Sequence, residues 1–190
     1  MANKIILVIA IIMGVSVYFL SSGDLAEYEN KAIKEFTNLP TTERRAIVEE
    51  FAETKNIPAS SYDDLYACVS QMIFTKNTDL TFGKVAGWCD NDYKNNRLNG
   101  YIDFDNFENG FSKWDGSFAE LESIIKNNMN DSNSYEHVST TYRFILNDNQ
   151  SDAVVNTKFK GTNALGAVVT NQVSALVDIK TGKIKKILNQ

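Results

Sequence analysis

The stretch Ile5–Leu20, IILVIAIIMGVSVYFL, carries no charged residue and follows Lys4. At about 1.5 Å of rise per residue a helix over it is roughly 24 Å long, short of a hydrocarbon core of about 30 Å. The small, uncharged Ser21, Ser22 and Gly23 extend it towards spanning length, and bilayers thin locally around short helices. Lys4 precedes the run and Asp24, Glu27 and Glu29 follow it, so the positive-inside rule keeps the N-terminus in the cytoplasm and sends the rest across. The competing reading is a cleaved signal peptide, with Ser21-Ser22-Gly23 as a poor cleavage site. The run exceeds the usual apolar region of such a peptide, and no cysteine follows it to take a lipid. A buried helix of a soluble domain would carry a polar stripe. The reading adopted is an uncleaved signal-anchor in the inner (cytoplasmic) membrane, with residues 1–23 as cytoplasmic N-terminus and transmembrane helix and residues 5–20 in the lipid bilayer.

Beyond the anchor about 165 residues remain, enough for one good core or two small linked ones. The chain has 24 acidic against 19 basic residues and a net charge of −5. That balance disfavours nucleic acid as a partner, and anionic lipid as a target of a basic surface. One histidine in the chain leaves no multi-histidine metal site and disfavours a His-dependent triad. No metal and no cofactor is expected.

Residues 24–116 read as a helical region. Leu25, Tyr28, Ala32, Phe36 and Leu39 mark one face of a helix that Pro40 ends, placed to continue the membrane helix outwards as a stalk. Thr41 caps a second helix with Ile47, Val48, Phe51 and Ala52 as a narrow stripe, and a solvated face accounts for the charges of both. Leu65, Cys68, Val69, Met72 and Ile73 recur at helical spacing before the turn Lys76–Asp79. Phe82, Val85, Ala86, Cys89 and Tyr93 do so after it. In an antiparallel hairpin about that turn Cys68 and Cys89 are level, both on the apolar stripe. A disulfide between them needs Cα atoms roughly 4.4–6.8 Å apart, and Gly83 and Gly87 would permit the approach. Two cysteines in an exported domain fit one structural bond, and without Cys-x-x-Cys spacing or an adjacent histidine a redox-active pair is disfavoured.

Tyr101, Phe104, Phe107, Phe111 and Trp114 follow, spaced for one face of a short helix capped by Asp103. Such a stripe is either core or a groove for a ligand or partner. Ser117-Phe118-Ala119-Glu120 is a capping box opening a helix with Leu121, Ile124 and Ile125 inward. After the asparagine-rich 127–134 the period becomes alternating: Val138, Thr140, Tyr142, Phe144 and Leu146 share one face. A second strand covers 153–160 and a third buries Val169, Val173, Ala175, Val177 and Ile179. Lys180-Thr181-Gly182-Lys183 turns into a last strand over 184–188. The expected fold class is α+β: an N-terminal transmembrane helix, a helical region with an antiparallel hairpin, then residues 117–190 as one helix on a four-stranded antiparallel meander.

Several other patterns carry less. Asp90-x-Asp92 and Asp103-x-Asp105 hint at calcium loops, but Lys94 and Phe107 occupy the third liganding positions. Gly161–Gly166 joins strand to strand and is a turn rather than a phosphate loop. His137 has no placeable catalytic companion. Lys180, Lys183, Lys185 and Lys186 read as protection of an edge strand.

The segment Ser134-Tyr135-Glu136-His137-Val138 to Tyr142-Arg143, with Lys158-Phe159-Lys160-Gly161-Thr162-Asn163-Ala164-Leu165-Gly166-Ala167-Val168-Val169, resembles a C-terminal module of small bacterial and phage proteins. Many of those are membrane-anchored or lipoprotein-like. The resemblance covers about the last third of the chain. The module's connection more often reads Phe-Gly-Gly where this chain has Leu165-Gly166-Ala167. No activity is attached to that group, so the resemblance implies a small β-sheet module without catalytic residues. The helix-plus-meander plan is also loosely similar to small envelope-assembly lipoproteins, by analogy of fold alone.

These readings converge on a non-catalytic protein-binding module anchored at the bacterial cell envelope, with a membrane or envelope protein as partner: an accessory, immunity or exclusion factor. The first alternative is a small-ligand or peptide binder using the groove Tyr101, Phe104, Phe107, Phe111 and Trp114. The second is a carboxylate-dependent enzyme acting on a glycan, for which Asp103, Asp105 and Glu108 are the cluster to inspect.

Overall fold

The computed structural model describes residues 24–147 and 150–189. The expected anchor over residues 5–20 lies outside them, and among the described residues no helix is long and apolar enough to cross a membrane. The chain forms α1 (Asp24–Tyr28), α2 (Ile33–Phe36), α3 (Thr41–Thr54), α4 (Tyr62–Thr75), α5 (Phe82–Lys94), α6 (Asp105–Glu108) and α7 (Ala119–Asn127). Four strands follow: β1 (Glu136–Asn147), β2 (Gln150–Thr162), β3 (Val168–Asp178) and β4 (Lys183–Asn189). They lie in the order β1-β2-β3-β4 with every pairing antiparallel, the meander that the alternating pattern predicts.

The first expected helix is broken instead into α1 and α2, so among the described residues it does not run as one helix to Pro40. Residues between them pair with the chain entering α5: Ala32 bridges Thr81, Ile33 N–H donates to the Leu80 carbonyl (2.8 Å), and Gly83 N–H donates to that of Glu29 (2.9 Å). This approach, and not the α4–α5 contact, explains Gly83. A Cβ there would sit 2.8 Å from the Glu29 carbonyl oxygen, whereas one at Gly87 would meet nothing. Cys68 and Cys89 are bonded, their Cα atoms 5.9 Å apart, and both are fully buried between α4 and α5.

Buried side chains fall into two clusters. Ile33, Phe36, Val48, Leu65, Val69, Phe82 and Val85 pack around the disulfide, with Phe36 stacked on Phe82 at 4.7 Å. Phe104, Phe107, Phe118, Leu121 and Ile125 cover one face of the sheet against Val155, Phe159, Ala175, Val177 and Ile179. Ile102, Phe104 and Phe107 thus pack with the sheet, while Leu98 and Tyr101 pack with the helical cluster. Phe74 joins both clusters, stacking on Phe104 at 5.1 Å and meeting Phe144 edge-on. Beside it the Phe104 N–H donates to Ser70 Oγ (2.9 Å) and the Ile102 N–H to Gln71 Oε1 (3.0 Å).

The capping box at 117–120 does not close. Phe118 is the N-cap of α7 without a side-chain cap bond. Ser117 bonds to Asp115, and Glu120 accepts from the Ile184 N–H of β4 (3.3 Å). At the β3–β4 turn Gly182 takes the left-handed φ of +66°, as its position in the hairpin predicts. It also touches α6, where an added Cβ would lie 2.3 Å from the Asn106 carbonyl oxygen.

Candidate functional site

The five aromatic residues of the expected groove do not share one helix face, because only Asp105–Glu108 is helical in that segment. Asp103 does cap its entry, its Oδ1 accepting from the Asp105 N–H (2.9 Å). Phe104 and Phe107 are fully buried, so neither ring is open to a ligand. Tyr101 turns towards the helical side and donates to Asp92 (2.6 Å); burial and that bond push its hydroxyl up to about 12. Phe111 packs edge-on to Phe107 and rests on Tyr142 at 5.5 Å. Trp114 stands in solvent, 97% exposed.

Around α6 lies a charged cluster that the spacing did not signal as a unit. Arg44, only 4% exposed, reaches Asp105 (3.2 Å) and Glu108 (2.6 Å). Arg45 pairs with Asp103 and Asp63, and Tyr66 donates to Asp105 (3.0 Å). Burial first, then the neighbouring Asp103 charge, raise the Asp105 carboxyl above the ordinary range, against the pull of Tyr66 and the two arginines. Burial likewise drives the Tyr66 hydroxyl well above the usual phenol range. Each of the three carboxylates proposed for glycan chemistry is therefore engaged by an arginine. None of the three lines the cavity of about 520 Å³ between α7 and the β2–β3 end of the sheet, or that of about 450 Å³ beside Gln71 and Lys180. A signal was present: Arg44 sits three and four residues before Ile47 and Val48, on the apolar stripe of α3.

Among the described residues no group of three or more His, Cys, Asp or Glu side chains is placed to hold a metal ion. Asp90 pairs with Lys94 (2.6 Å) and Asp92 with Arg97 (2.7 Å). Gly161 and Thr162 still belong to β2, and the turn follows at 163–167, where Asn163 Oδ1 accepts from the N–H groups of Leu165 and Ala167 (3.0 Å each). Leu165 projects from its tip, 92% exposed.

The sheet has two edges of opposite character. β4 has seven residues, carries Lys183, Lys185 and Lys186, and slips register twice against β3. Lysines and irregular register blunt an edge against further pairing. β1 has twelve residues, none of them buried, and runs in uniform register with β2 from Ser139 to Asn147 after one shift next to His137. Neither a lysine nor a proline interrupts it. The loop carrying Trp114 is held beside this strand at two points, by Phe111 on Tyr142 and by Asp115 facing His137 Nδ1 at 3.8 Å. Hydrogen bonds from Ser112 and Ser117 hold the Asp115 carboxyl down at about 2, so it is charged throughout the neutral range. Tyr142 itself is 45% exposed. Among the described residues, β1 is a twelve-residue edge strand with two exposed aromatic rings, Trp114 and Tyr142, at its side.

The architecture is thus an α+β fold presenting an open strand edge. Comparison with known protein families, with curated proteins and with solved structures gives no match.

Proposed function

We propose that this chain is a single-pass, N-terminally anchored protein whose extracytoplasmic domain binds another protein at the bacterial cell envelope and catalyses no reaction, as an accessory, immunity or exclusion factor does. The observation that carries the reading is the β1 edge with Trp114 and Tyr142 beside it. Exposed tryptophan and tyrosine are the side chains that most often anchor protein interfaces, and a monomer gains nothing from holding Trp114 in water. The disulfide fits an oxidising compartment. The apolar run at 5–20 supplies the membrane attachment.

The test is site-specific photo-crosslinking in the native cells. A benzophenone amino acid replaces Trp114 in the full-length chain, with Glu53, exposed on α3, as the control position. The expected result is one discrete crosslinked species from position 114, none from 53, and a chain that sediments with membranes and has no free thiol. Crosslinks from neither position, or a soluble chain with two reactive thiols, overturn the reading.

A further inference from the structure

Building on the protein-binding reading, we propose that the partner contributes an extended segment that adds to β1 as a fifth strand, acidic on the outer face of the sheet and apolar on the inner. Strand addition to an open edge takes its affinity from main-chain hydrogen bonds and its specificity from alternate side chains. The β1 register decides which side chains an incoming strand meets. Tyr142 lies opposite Val155 and Phe144 opposite Ala153, so both point to the helix-covered face. There the incoming strand passes the exposed part of the Tyr142 ring and the Trp114 loop. Residues facing these rings are apolar in the fitting partner.

On the other face Arg143 lies opposite Val154, and Lys158 opposite Ser139. Arg143 is exposed, and among the described residues neither Arg143 nor Lys158 has an ion pair. By contrast Lys160 on the same face is matched by Glu136 (2.8 Å), and Lys185 by Asp152 (2.6 Å) and Asp178 (3.2 Å). In a chain of net charge −5 the two unmatched cations beside the open edge mark the complement of a carboxylate. An acidic residue directly across from Arg143 makes a cross-strand ion pair, which a lysine there would turn into repulsion. The β4 edge is shorter and slips register twice against β3, so it offers an incoming strand a less regular ladder than β1 does.

The probe is a fluorescent ten-residue peptide alternating valine and glutamate, with its valine–lysine counterpart, titrated by anisotropy against the full-length protein in nanodiscs. The glutamate peptide is expected to bind about fivefold or more tightly than the lysine one, and Arg143→Glu to reverse the preference. Trp114→Ala should weaken the glutamate peptide without altering the melting of the protein. Methylating the backbone nitrogens of either the valines or the glutamates should abolish binding in one set only, because alternate amides face the strand being joined. Equal affinity for the two peptides, or indifference to both methylated sets, overturns strand addition. A dimer that Thr141→Pro dissociates would put a second copy on the edge and overturn it as well. If the Trp114 crosslink persists while the peptides fail, the protein-binding reading survives and only the strand-addition inference falls; if the crosslink itself is missing, the reading falls first.

Discussion

Arg44→Met destabilises the protein by about 3–5 kcal/mol at neutral pH, the cost of stranding buried charge without its partner. Arg44 is in hydrogen-bond contact with both Asp105 and Glu108, and the Asp105 side chain is nearly as buried as its own. Methionine fills much the same volume, so the loss reports charge rather than a cavity. The pH dependence gives the cause a second signature. The carboxyl of Asp105 is already raised in the folded protein, so the folded state holds that proton more firmly than the unfolded chain, whose aspartates titrate near about 3.9. A raised carboxyl favours folding increasingly as pH falls through its folded value. Without Arg44 that value rises further, so the deficit of the variant shrinks on acidification. Urea melts at pH 7 and pH 5 check both points. A loss below 1 kcal/mol, or one that stays constant with pH, removes the cluster from the list of what holds the fold. Arg44→Met with Asp105→Asn should recover part of the loss, since removing both partners leaves less unpaired charge inside.

Cys68→Ala with Cys89→Ala costs about 3 kcal/mol from loop closure alone, a fall in melting temperature of about 6–12 °C for a chain of this size. The loop joins residues 21 apart, and both sulfurs lie at the centre of the helical cluster. The variant therefore also loses packing around Leu65, Val69 and Val85. Thermal melts of the oxidised protein, the reduced protein and the double variant separate these effects. The reduced protein keeps both sulfur atoms and should melt between the other two. Coincident melting of all three would mean that the bond contributes nothing to stability.

Much of the fold was legible because simple periodicities carried it. The alternation around Tyr142 and Phe144 located β1, and the odd-numbered residues Val173, Ala175 and Val177 named the buried face of β3, with Ile179 buried just beyond the strand and Val169 only half-buried. The level placement of Cys68 and Cys89 about their turn predicted the pairing that the structure holds. The failures have equally local causes. Aromatic residues at 104, 107 and 111 keep helical spacing, yet the backbone uses that spacing for a single turn and buries two of the rings beneath the sheet. Leu25 to Leu39 has helical periodicity throughout, but backbone pairing of Ala32 with Thr81 outweighs it. The Arg44 cluster joins residues 61 and 64 positions apart, and no pattern within a helix encodes such a meeting. The edge position of β1 follows from the expected meander, but the approach of the Trp114 loop to it through Phe111 and Asp115 is a tertiary contact that no local pattern encodes.

Two features of α6 bear on each other. It has four residues, too few to persist alone. Its acids Asp105 and Glu108 are gripped by Arg44 of α3, while Asn106 donates to the Lys180 carbonyl (2.7 Å) and its own carbonyl presses on Gly182. One turn of helix is thus shared property, with some of its side chains belonging to the disulfide-bonded half and the next to the sheet. Neither half can release it without disturbing the other. The two hydrophobic clusters are thereby joined through α6 as well as through Phe74, one by way of Arg44 and the other by way of the β3–β4 turn.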